Sequence, residues 1–278
     1  MSIERLVLGL VLSAIMAGLG YWRRALTVSG VVGALLVGTL IFGLGGWIWG
    51  LLLITFFVSS SWLSHYRRAD KAAVAEKFAK GSRRDIGQAL ANGGLGAIMA
   101  IVFARYPEPL LFAGFIGVMA TVNADTWATE LGILSRVPPR LITTGEVVTP
   151  GTSGGVTRLG IWSSVAGALL IGAVATAATQ VFSLLDGDGW SLQASTYTLL
   201  AVAGGLAGSL FDSLLGATVQ GIYYCERCAK QTESPTHHCG QTARPLRGWG
   251  WLNNDVVNFL ASMVGSLVAA SLAWVLWR

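Results

Sequence analysis

The chain has 278 residues, 53% of them hydrophobic and only 12% charged, with 36 glycines, three cysteines and a formal net charge of +5. Soluble domains carry roughly 25% charged residues and about 7% glycine, so this composition excludes a disordered tail, a basic nucleic-acid-binding domain and a disulfide-rich secreted domain. What remains is a polytopic helical membrane protein, in which an excess of Lys and Arg ordinarily marks cytoplasmic loops.

A helical span needs about 20 mostly apolar residues. The sequence predicts eight, at 3–20, 26–43, 46–63, 89–105, 109–125, 161–182, 196–219 and 255–277. The first is read as a span and not as a cleaved leader, because it carries Glu4 beside Arg5 and no clear small-x-small cleavage site comes before Arg23–Arg24. The second and third spans, and the fourth and fifth, are joined by a Gly-Gly and by Pro107-Glu108-Pro109, which predicts two tight helical hairpins. With the N-terminus outside, the inner loops 21–25, 64–88, 126–160 and 220–254 hold 16 of the 19 Lys and Arg residues. That asymmetry satisfies the positive-inside rule. It predicts one all-α integral-membrane domain over residues 1–278. The polar chemistry gathers at the cytoplasmic ends of the helices, as suits work on a cytoplasmic solute at the membrane face.

The loop before the fourth span is basic, with Lys80, Arg83 and Arg84 running on to Asp85, Gln88 and Asn92. These cations suit phosphate capture, and equally suit retention at anionic headgroups. The fifth span ends in Asn123, Asp125 and Glu130. Carboxylates at the hydrocarbon edge are costly and mark function more often than capping. Asp125 and Glu130 differ by about 140° on a continuous helix, so a break would be needed to aim both at one site.

Before the sixth span comes Gly151-Thr152-Ser153-Gly154-Gly155-Val-Thr157. Glycines allow successive N–H groups to form an anion nest, although an ordinary capped turn has the same composition. In the seventh span Gly205, Ser209, Asp212, Ser213, Gly216 and Gln220 form one stripe. Small residues there suit helix packing, but an aspartate two turns inside a span needs a cation or a proton.

The loop that follows contains Cys225-x2-Cys228, then His237, His238 and Cys239. Reduced cytosolic thiols at this spacing suggest a closed structural zinc site over 225–239, with the two histidines competing for the fourth position. At the last span Asn254, Asp255 and Asn258 follow Asn253. Asn and Asp are favoured helix caps, so only Asn258, within the span, resists that explanation.

Carboxylates from three helix ends beside a phosphate-type nest suit Mg²⁺ with a nucleotide. The predicted Mg²⁺ ligands are Asp125, Asp212 and Asp255, with Glu130 as a further catalytic carboxylate. Gly151–Gly155 and Thr157 would cradle phosphates, Lys80, Arg83 and Arg84 would neutralise them, and Asn92, Asn123, Asn254 and Asn258 would orient ligands.

Taken in order, six motifs resemble one family: Ala25-Leu26-Thr27, Lys80-Gly81…Arg84-Asp85…Gln88…Asn92-Gly93, Asn123-Ala-Asp125-Thr126-Trp-Ala-Thr-Glu130, Gly151–Thr157, Gly208-Ser-x2-Asp212-Ser-x2-Gly216-Ala and Asn253-Asn-Asp255-x2-Asn258. It is the integral-membrane family that includes plant phytyl-phosphate kinase, formerly a domain of unknown function and more distantly similar to the phytol and dolichol kinases. The resemblance covers nearly the whole chain. It implies transfer of phosphate from CTP or another nucleoside triphosphate to a phytyl or geranylgeranyl monophosphate, feeding tocopherol or prenyl-quinone synthesis in a bacterial inner membrane or thylakoid. The cysteine loop resembles that of bacterial and cyanobacterial members. Rival readings are a lipid nucleotidyltransferase of CDP-diacylglycerol-synthase type, a transporter with Asp212 as its ion site, and a scaffold docking through the zinc loop. Prenyl phosphate and the membrane are the expected partners, and nucleic acid is not.

Overall fold

A computed structural model describes residues 3–67, 83–237 and 239–278, so Lys80 and His238 lie outside the described residues. Among the described residues, eight helical segments are long and apolar enough to cross a membrane, the second only together with the turn that prolongs it to Gly45; their helices are α1 (Ile3–Trp22), α2 (Val28–Leu40), α3 (Trp47–His65), α4 (Ile86–Arg105), α5 (Pro109–Gly132), α6 (Arg158–Leu185), α7 (Tyr197–Thr218) and α8 (Asn254–Leu276). A π-turn, Ile41–Gly45, prolongs α2 and meets α3 at Gly46, whose φ of +93° reverses the chain. Pro109 starts α5 at the first helical turn, where its missing N–H costs nothing. Both predicted tight connections are present; α4 packs on α5, whereas α3 meets the preceding span mainly at the π-turn.

Several helices outrun the predicted spans because polar residues cap them beyond the apolar stretch. Asp85 and Gln88 form a reciprocal capping box that starts α4 at Ile86. The Thr157 hydroxyl accepts from Gly160 N at 2.9 Å and starts α6 at Arg158. Helix α5 continues unbroken past Asp125 to Gly132, so the break expected there is absent.

Helix α5 is the axis of the bundle. Its run from Phe112 to Ala124 is buried continuously, and α3, α6, α7 and α8 pack around it. Glycine makes the closest crossing possible: a Cβ on Gly265 of α8 would run into the Thr121 hydroxyl of α5 and lie 2.8 Å from the Gly204 carbonyl of α7. Helices α1, α2 and α4 form a second group beside this one.

Two small antiparallel sheets, absent from the sequence prediction, order the loops at one end. Strands β1 (Arg140–Leu141) and β2 (Gly155–Val156) pair in the α5–α6 connection. Strands β3 (Ile222–Cys225), β4 (Lys230–Thr232) and β5 (Arg244–Arg247) stand in the order β4-β3-β5 after α7. This is the end to which the charge pattern gives the cytoplasm.

Candidate functional site

The structure brings together two of the predicted carboxylates and adds one that the sequence reading missed. Asp125 of α5 and Asp212 of α7 interact electrostatically, and Glu233, just after β4, acts on both. The Asp212 Oδ2 atom is buried and has no hydrogen-bond partner among the described residues. A solvent-excluded carboxylate oxygen among like charges needs a cation or a proton to be tolerated.

Glu233 is tied into the site by a relay of polar contacts. Its Oε1 accepts from Gln220 Nε2 at 3.2 Å, and Gln220 Oε1 accepts from Ser153 Oγ at 2.8 Å. Gln220 is itself buried. The relay thus joins the end of α7, the glycine loop before α6 and the sheet after α7. Arg247 of β5 completes this edge by donating to the Gly216 carbonyl at 2.7 Å, the favoured place for a cation at a helix C-terminus. Burial lowers the Arg247 pKa, and Glu233 opposes that shift.

The glycine loop is closely fitted to α7. Gly154 has a φ of +83°, and a Cβ there would enter the backbone of Ala217. Gly151, with φ +79°, makes the other left-handed turn. Two of the loop's N–H groups are already used, Thr152 N on the Thr149 carbonyl at 3.1 Å and Gly155 N on the Thr152 carbonyl at 2.9 Å. Of the predicted nest, Ser153 N and Gly154 N are candidates that these two bonds leave.

Other predicted residues have different work. Glu130 accepts from Ser64 Oγ at 2.6 Å and acts on Arg84. It faces away from Asp125 because the helix between them is continuous, and the third carboxylate that acts on Asp125 and Asp212 is Glu233. Asn123 is fully buried, donating to the Gly167 carbonyl at 2.8 Å and accepting from Ser59 Oγ at 2.9 Å. With these two bonds it cross-braces α3, α5 and α6. Thr157 serves as a helix cap. Arg83 donates through Nε and Nη2 to the Leu26 carbonyl at 3.2 and 2.8 Å, pinning the α1–α2 turn. Asn253 caps α8 through Val256 N, leaving Asn254 and Asp255 in the first turn and Asn258 in the next. An acid in a first turn is stabilised by the helix dipole.

Arg84 and Asn92 line a cavity of about 90 Å³ between α1, α2, α3 and α4. Its walls are apolar, including Leu12, Met16, Val37, Phe42, Ile54 and Phe57, and its polar residues include Arg84, Gln88 and Asn92. From Val28 to Phe42 this part of the bundle is about 21 Å long at 1.5 Å per residue. The Arg84 guanidinium lies 5.5 and 5.8 Å over the rings of Phe56 and Phe57. Burial lowers its pKa to about 10, with Glu130 opposing the shift, so it stays charged at neutral pH.

In the last loop, ligand atoms of Cys225, Cys228, His237 and Cys239 lie within 4.8 Å of one another. A hydrogen bond with His237 is the main cause holding the Cys239 thiol down to about 6.

The profile of a family described as "Integral membrane protein DUF92" matches residues 11–266. Protein PGR of Arabidopsis thaliana is 32% identical, over 96% of this chain and 95% of its own length. An uncharacterized membrane protein of Methanocaldococcus jannaschii is 31% identical over 96% of this chain and 94% of its own. The chloroplastic Protein VTE6 of Arabidopsis thaliana is 26% identical over 88% of this chain and 64% of its own. No solved structure matches the chain.

Proposed function

The chain belongs to the DUF92 family of integral membrane proteins, and we propose that it is a prenyl-phosphate kinase, moving a phosphoryl group from a nucleoside triphosphate to an isoprenyl monophosphate at the cytoplasmic membrane edge. The carrying observation is the buried Asp212 oxygen, without a hydrogen-bond partner among the described residues, beside Asp125 and Glu233. It lies at the end of the bundle that also carries the glycine loop.

Three carboxyls from three segments fit a divalent cation, which Mg²⁺ supplies in phosphoryl transfer by neutralising charge on the donor phosphates. Asp125, Asp212 and Glu233 would hold it. The N–H groups at Ser153 and Gly154 would meet phosphate oxygens, with Arg247 adding positive charge beside them. Gln220 keeps Ser153 and Glu233 in register with one another. The apolar cavity would take part of a prenyl chain, and Arg84 would offer a guanidinium to the acceptor's phosphate.

The test is phosphoryl transfer by purified protein in detergent. γ-labelled CTP, ATP, GTP or UTP is supplied with Mg²⁺ and phytyl or geranylgeranyl monophosphate. Label is expected in the prenyl diphosphate, with none from the Asp212→Asn protein. Pyrophosphate release with nucleotide retained on the lipid would instead identify a nucleotidyltransferase. Absence of any transfer from all four nucleotides would overturn the reading.

A further inference from the structure

We propose that the loop between α7 and α8 holds one structural zinc ion on Cys225, Cys228, His237 and Cys239, and that this clamp delivers Glu233 to the acidic site. A tetrahedral site with Zn–S bonds of about 2.3 Å places its sulfurs roughly 3.8 Å apart. The Cys225 and Cys239 sulfurs are 3.7 Å apart, which is too far for a disulfide bond of about 2.05 Å. His237 Nδ1 stands 3.2 Å from the Cys239 sulfur. Three thiols and one imidazole leave no open position, which makes the site structural.

The backbone is folded to suit. Cys225 ends β3, and Cys228 sits in the turn that Ala229 closes with a φ of +50°. His237 and Cys239 sit in a second tight turn, closed by Gly240 N donating to the His237 carbonyl at 2.9 Å. The antiparallel sheet brings these two turns together. Such paired knuckles on a three-stranded sheet form the usual frame of a zinc ribbon.

The strand register shows what the clamp holds. Cys225 pairs with Lys230 at the sulfur end, and Tyr223 pairs with Thr232 further along. Strand β4 therefore runs from the knuckles back towards α7, where Glu233 meets Gln220. The chain then returns to His237. Both ends of the segment carrying Glu233 are fastened by ligands, Cys228 before it and His237 after it. A three-residue strand is too short to hold that excursion alone, and metal binding to such a loop is also its folding energy.

The zinc half of this proposal does not depend on the kinase reading, whereas the delivery of Glu233 does. Metal analysis of protein purified without chelator should give about one zinc per chain, falling to near none in Cys225→Ser/Cys228→Ser. Exchange with Co²⁺ should give the intense visible bands of a tetrahedral thiolate site. Metal-free wild-type protein with three freely titrating thiols, or iron in place of zinc, overturns the zinc assignment. Delivery is read separately, by Mn²⁺ affinity in electron paramagnetic resonance, using protein stripped of zinc and the Glu233→Gln variant. Each change should weaken Mn²⁺ binding about tenfold or more, the two together no further than either, and Glu233→Gln should keep its zinc. Undiminished Mn²⁺ binding after zinc removal overturns delivery while leaving the zinc site standing.

Discussion

Helices α5–α8 and helices α1, α2 and α4 draw on the same small and apolar residues but pack in different ways. Around α5 glycines let backbones touch, and the buried polar side chains are spent on helix-to-helix bonds such as Asn123 to Gly167 and Ser164 to Ser209. Between α1, α2, α3 and α4 an apolar space of about 90 Å³ remains, with Arg84 among its few polar residues. The contrast teaches a division of labour. On the proposed function, the closely packed half would hold the carboxylates in place and the looser half would take the hydrocarbon. Substitutions in the first should affect turnover, and substitutions in the second should affect lipid affinity.

The largest effect expected from breaking this contrast is in the rigid half. Asp212→Asn or Asp125→Asn should lower kcat by roughly a thousandfold, the upper range for removing one preorganised electrostatic contact. The loss should be the same for phytyl and geranylgeranyl acceptors, and thermal melting in detergent should show the bundle intact. Near-wild-type turnover in both variants would remove the metal assignment.

In the open half, Arg84→Gln should leave kcat nearly unchanged and raise KM for the lipid phosphate. Hydrogen bonds to charged groups are worth about 1.5–3 kcal/mol, or roughly ten- to a hundredfold in KM. Burial disfavours the charged form of a base, so the Arg84 pKa falls, but only to about 10. The guanidinium therefore keeps its proton between pH 7 and 9, and lipid KM should be flat there. Arg84→Lys starts from a lower reference value, about 10.4, and the same burial moves its loss of charge into that range. Its KM should rise with pH, which steady-state kinetics at three pH values would show.

A smaller effect sharpens the distinction by chain length. Ala34 lines the cavity, and Ala34→Phe would displace about two methylene groups of bound hydrocarbon. At about 0.8 kcal/mol each, KM for phytyl phosphate should rise roughly tenfold. Dimethylallyl phosphate, too short to reach that depth, should be unaffected. Equal changes for both acceptors would place the chain elsewhere.

The eight spans, both hairpins, the isolated Asp212 and the cysteine cluster are legible in the sequence because each rests on local composition or spacing. Glu233 is not, because it comes to Asp212 through a strand register and a two-turn loop that no local pattern encodes. Its one sequence signal is an acid between the two halves of a metal-ligand motif. Glu130 misleads for the opposite reason: proximity in sequence to Asp125 means little when a continuous helix turns the two apart. Asn123 misleads because an amide in a span signals function and helix bracing alike, and only its two hydrogen bonds decide.

Thr157 poses the same ambiguity at the smallest scale. It closes a Gly/Ser/Thr motif that invites a phosphate, yet its hydroxyl accepts from Gly160 N at 2.9 Å and donates to the Gly132 carbonyl at 3.4 Å. A hydroxyl with both functions occupied has little left for a ligand, whereas Ser153 remains beside Gln220 at the site. Thr157→Ala should therefore cost the stability of one N-cap, about 1 kcal/mol, as a small fall in melting temperature. KM for the nucleotide should not move. A rise in that KM with unchanged melting would return Thr157 to the phosphate loop and show that the cap bond is given up when nucleotide binds.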